Sequence, residues 1–111
     1  MNNLEILKKF ADQKEVADLI DDITTLHKYF YSKDYKRMQI YIQKLMIKYY
    51  EETICWNSVN KQQPQNFDQA FYNAERFLLF KGIHIIAKSV NNYKQRLTEE
   101  ELRTFEMWMK M

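Results

Sequence analysis

Val16, Leu19, Ile20, Ile23, Leu26 and Phe30 recur at three- and four-residue intervals. That spacing lines one face of an α-helix of 3.6 residues per turn. Leu4, Leu7 and Ala11, with Phe10 beside them, give a shorter helix ahead of it, and Met38, Ile42, Leu45, Met46, Tyr49 and Trp56 give a third. Residues 57–65 are polar, hold Pro64 and read as the one real loop. Beyond them the stripe Phe67, Phe71, Ala74, Leu78 passes into Leu79, Ile83, Ile86, Val90, Tyr93, Leu97 around Lys81-Gly82. At 100° per residue the second stripe is turned by about a quarter of a revolution from the first. Either this fourth helix turns a new face to a new neighbour at Gly82, or it bends or breaks there; the pattern favours the bend or break.

Helix starts are marked where an N-cap oxygen stands three residues before a Glu or Gln that can reach back to it. Asn2/Glu5, Asp12/Glu15, Asn66/Gln69 and Thr98/Glu101 satisfy this rule. The last is the strongest, because Glu99 and Glu100 also complement the helix dipole. Ser32 or Asp34 opens the third helix without the reciprocal partner.

Composition turns this pattern into a fold class. Gly82 and Pro64 are the only glycine and proline in 111 residues, where average usage supplies about thirteen. Strands, tight turns and phosphate-cradling loops lean on those residues, so an all-α chain is expected: a single-domain bundle (residues 1–111) of four to five antiparallel helices. The aromatic share of 15% argues against disorder. A lone cysteine, Cys55, forms no internal disulfide and suits a reducing cytoplasm. The start of the chain lacks a basic region followed by an apolar core, and residues 77–87 are broken by Lys81 and His84, so neither a secretory signal nor a membrane span is expected. Abundant Lys, Asn, Ile, Tyr and Phe are typical of AT-rich coding DNA, as in low-GC bacteria and their phages and mobile elements.

Charge alternates by segment. Residues 1–27 and 51–75 are net acidic, residues 28–50 hold six bases against Asp34, and residues 76–96 hold five bases and no acid. If helices two, three and four run up, down and up over short connections, one end gathers Lys28, Lys33, Lys36, Arg37, Lys88, Lys94 and Arg96, with Tyr29, Tyr31, Tyr35 and Tyr93 near them. The opposite end gathers Asp12, Glu15, Glu51, Glu52, Asp68 and Glu75. Such a basic end is a candidate anion-binding surface, and rings among cations can stack bases.

Two further surfaces fit partners. Ile40, Ile47 and Ile54 recur every seven residues on the side of helix three that is otherwise polar, a seam for a neighbouring helix, a protein partner or a homodimer. Met107, Trp108 and Met111 concentrate adaptable and anchoring side chains at the end of the chain.

Candidate chemistry is sparse. His27 and His84 have no carboxylate or cysteine at metal-ligand spacing, and no nucleotide loop, triad or carboxylate pair is recognisable. HEPN ribonucleases, which are small helical bundles, carry an Arg, four to six residues and then a His. Arg76 and His84 enclose seven residues, so that spacing is not met. Glu99, Glu100 and Glu101 at the start of the last helix argue against its being a DNA-recognition helix. The expectation is a non-catalytic cytosolic protein-binding module without metal or cofactor: a regulator, adaptor or inhibitor. A nucleic-acid binder using the basic end is the alternative, and a HEPN-like ribonuclease a more distant one.

Overall fold

The computed structural model describes residues 3–49 and 66–110. Among these residues five α-helices follow in order: α1 (Asn3–Lys8), α2 (Lys14–Tyr31), α3 (Tyr35–Lys48), α4 (Phe67–Ser89) and α5 (Glu99–Met109), with a 3-10 turn over Tyr93–Arg96 before α5. Among the described residues there is no strand, and the chain is all-α.

These residues fall into two compact units, a terminal one from Met1–Asp21 and Leu78–Met111 and a central one from Asp22–Phe77. In the terminal unit the helical stripes bury Ile6, Leu7, Phe10, Val16, Leu19, Leu78, Ile83, Ile86 and Phe105. The central unit buries Ile23, Leu26, Met38, Leu45, Phe71 and Ala74.

Helix ends are made with little glycine. At the end of α2 the amide of Asp34 donates to the Tyr29 carbonyl and that of Lys33 to the Phe30 carbonyl, the two bonds of a Schellman stop. Lys33 occupies the left-handed position (φ 59°) where glycine is usual, and Asn92 (φ 60°) does the same ahead of the 3-10 turn. Asp34 then caps α3 by accepting the Arg37 amide at 3.3 Å, so Asp34 rather than Ser32 opens that helix. Asn66 caps α4 through the Gln69 amide at 2.8 Å. Asp12 does not cap α2. The Gln13 carbonyl receives the first helical bond, from Ala17, while the Asp12 carboxylate goes to Arg96. Asn2 lies outside the described residues.

Thr98 and Glu101 form the full capping box, each side chain bonded to the other's amide. Glu101 is buried and also receives the Lys9 ammonium. The Lys9 hydrogen bond, with the Thr98 amide, holds its carboxyl below the usual 4.5.

The break expected at Gly82 is absent, because α4 is helical throughout Phe67–Ser89. Its change of stripe is a change of neighbours: Phe71 and Ala74 are buried in the central unit, Leu79, Ile83 and Ile86 in the terminal one. Glycine stands at 82 for room. A Cβ there would lie 2.8 Å and 3.0 Å from the two methyls of Leu7, itself fully buried.

Gly82→Ala is therefore expected to destabilise by about 1 kcal/mol, overpacking outweighing a propensity gain of similar size. In a Leu7→Ala background the same change becomes stabilising; urea denaturation of the four proteins checks the reversal of sign. Glu101→Gln keeps the capping geometry but removes the charge facing Lys9, and is expected to cost about 1 kcal/mol at neutral pH. Because the native carboxyl titrates below its unfolded value, the wild-type advantage is full above pH 4.5 and disappears as pH falls through the native pKa. Denaturation midpoints measured across pH 2–7 in both proteins would show the two curves converging in acid.

Candidate functional site: the outer face of α3

The inward side of α3 is set by apolar and polar contacts together. Met38 and Leu45 are buried. Asp22 of α2, itself buried, accepts hydrogen bonds from the Tyr41 hydroxyl at 3.1 Å, the Tyr49 hydroxyl at 2.5 Å and the Lys48 ammonium at 3.0 Å. A buried carboxylate is tolerable only with such a set of donors. Desolvation of the Tyr41 phenol, followed by the neighbouring Asp22 charge, raises its pKa from 10.0 to about 12.

With 38, 41, 45, 48 and 49 turned inward, the helical period turns the opposite face out. Ile40 is 46% exposed and Ile47 76% exposed, so the seam read from the sequence lies open over its described length. Ile54 lies outside the described residues. Around the two isoleucines Lys36, Arg37, Gln43 and Lys44 are all exposed, and α3 contains no acidic residue. Arg37 pairs with Asp34 at 3.5 Å. Among the described residues Lys36 and Lys44 make no ion pair.

The residues of the expected basic end are divided between the two units. In the central unit Phe30 stacks on Phe71 (3.9 Å between centroids) and His27 bonds to Glu75, so rising numbers on one helix meet falling numbers on the other. There α2 and α4 are antiparallel, not parallel as the up, down, up order requires. Lys28, Lys33, Lys36 and Arg37 consequently belong to the central unit, Lys88, Lys94 and Arg96 to the terminal one. Arg96 also pairs at 2.8 Å with Asp12, which the same order assigned to the acidic end, and lies 5.2 Å from the Phe10 ring centre. Its guanidinium holds the Asp12 carboxyl below the usual range.

The tyrosines divide likewise. Tyr29 meets Tyr41, Tyr31 meets Phe30, and Tyr35 stacks on Phe67, whereas Tyr93 lies against Phe105 in the other unit. At the end of the chain, Met107 is 59% exposed, but Trp108 is only 9% exposed and belongs to the core side of α5 with Phe105. It is not an exposed anchor. Met111 lies outside the described residues, as do Cys55 and Trp56.

No spacing in the chain signals the His27–Glu75 pair, formed across 48 residues. Asp22 carried a faint signal, as an acid on the border of the Leu19, Ile23, Leu26 stripe. Arg76 and His84 are not brought together: one uninterrupted helix sets them ~12 Å apart along its axis. Arg76 is exposed, whereas the His84 Nε2 is buried without a hydrogen-bond partner beside Phe80. Among the described residues no group of three His, Cys, Asp or Glu side chains could hold a metal ion. No helix among them is long and apolar enough to cross a membrane.

Comparison with protein-family models, curated proteins and solved structures finds no match to this chain.

Asp22→Asn keeps the volume but places an amide among three donors, and is expected to cost about 2 kcal/mol. It should also bring the Tyr41 pKa down from about 12 towards 10.0, since one of the causes that raise it is the Asp22 charge. Ultraviolet titration of the phenols, with Tyr41→Phe to assign the transition, and urea denaturation read the two effects separately.

Proposed function

We propose that this protein is a small non-catalytic module, a regulator, adaptor or inhibitor, that binds another protein through the outer face of α3. The observation that carries the reading is the pair Ile40 and Ile47, two helical turns apart and both open to solvent on a helix whose other side is fixed. Burying one such side chain is worth about 1.5–3 kcal/mol, so a partner helix covering both gains several kcal/mol from these two contacts alone. Polar and charged residues surround them, as at the rim of an interface. A cytoplasmic setting belongs to the same reading, because a single cysteine, Cys55, gives the chain no internal disulfide.

A photo-crosslinking amino acid placed at Gln43, between the isoleucines, tests this in cells that naturally carry the chain. The expected result is a discrete protein adduct that disappears when Ile47→Asp is added and that is not formed from exposed Lys8. Adducts as varied at position 43 as at position 8, or adducts to nucleic acid in place of protein, would remove the reading.

A further inference from the structure

We infer that the partner received by the outer face of α3 is an acidic amphipathic helix, an inference that rests on the binding-module reading above and specifies its partner. At 100° per residue, Lys36, Arg37, Ile40, Gln43, Lys44 and Ile47 fall within an arc of about 120°. Along the axis they span ~17 Å, about three turns. The isoleucines occupy the middle of that arc. Lys36 lies beside Ile47 on one flank, and Lys44 and Arg37 lie on the other.

All six are exposed, and no carboxylate of α3 offsets the cations. Arg37 shares its charge with Asp34, whereas Lys36 and Lys44 have no anion paired to them among the described residues. The fourth base, Lys48, is turned towards Asp22 and contributes nothing to this face. An apolar stripe with an unneutralised cation on each flank is complementary to a helix whose own apolar anchors, at i, i+3, i+4 and i+7, are bordered by Glu or Asp.

Other occupants fit the charges less well. A second copy of this chain, docked through the same face about a two-fold axis, would set Lys36, Arg37 and Lys44 of one copy against a face equally rich in bases and free of acids. Like charges so placed are repelled, and α3 has no acid to relieve them. A nucleic-acid strand would satisfy the cations but leave two aliphatic side chains at the centre of the contact, where single-strand binders present aromatic rings for stacking. Its phosphates supply charge, but the apolar residues that would cover Ile40 and Ile47 are absent from such a strand.

Two designed peptides test the inference on the full chain. Both are stapled helices with the same leucine stripe, one bordered by glutamates and its twin by lysines. Fluorescence anisotropy is expected to show the glutamate peptide binding about tenfold tighter or better than the lysine twin, with the difference shrinking as salt is raised. Lys36→Glu/Lys44→Glu should reverse that preference, and Ile47→Asp should abolish binding of either peptide. All these positions are exposed, and circular dichroism with thermal melts confirms that the variants remain folded. Equal binding of both peptides with loss on Ile47→Asp overturns the acidic class while leaving a protein-binding face. Binding of neither peptide overturns it too, and the binding-module reading then falls only if the crosslink at position 43 also fails. Tighter binding of an oligothymidylate than of the glutamate peptide, unaffected by Ile47→Asp, transfers the face to nucleic acid and overturns the inference. Self-association in sedimentation that is lost with Ile47→Asp does so in favour of a second copy.

Discussion

The Asp22 carboxylate is the constraint on which the layout of the central unit turns. Taking one charge out of water is costly unless donors replace the lost hydration. Tyr41, Lys48 and Tyr49 supply them, all from α3 and its C-cap. Seven to eight residues separate Tyr41 from Lys48 and Tyr49, so the three lie along the same side of the helix two turns apart. An apolar contact alone tolerates sliding and rotation of a helix; three directed bonds onto one carboxylate do not. The rotation of α3 about its axis is thereby fixed, and with it the direction in which Ile40 and Ile47 face.

A second constraint is the scarcity of glycine. With one glycine in the chain, the left-handed positions fall to Lys33, at the end of α2, and Asn92, at the start of the 3-10 turn. Asparagine tolerates that conformation better than lysine does. Lys33 is held there by the two Schellman bonds and by Asp34, which closes one helix and caps the next. The single glycine is kept instead inside a helix, where propensity alone would exclude it, because Leu7 occupies the space of its missing side chain. Read as a breaker, Gly82 misleads; read as a point of close approach, it explains how α1 reaches α4 in the terminal unit.

Several bases are engaged locally: Arg96 with Asp12, Lys9 with Glu101, Lys48 with Asp22 and Arg37 with Asp34. Their proximity in sequence to other bases therefore overstates the free positive charge. What remains unneutralised at Lys36 and Lys44 gains importance from its position beside exposed apolar side chains.

The sequence by itself determined the elements. Hydrophobic periodicity and the scarcity of glycine and proline made the chain all-α, and capping chemistry located Thr98 and Asn66 as helix starts. It also singled out the Ile40 and Ile47 seam, because a seven-residue repeat on a polar side is a local, one-dimensional signal. Tertiary structure decided which helices run antiparallel, that Arg96 meets Asp12, that Trp108 turns inward and that His27 meets Glu75. The physical reason is that periodicity records which face of a helix is apolar but not which neighbour covers it. A charged side chain belongs to whichever opposite charge the packing brings near, and that pairing has no period in the sequence.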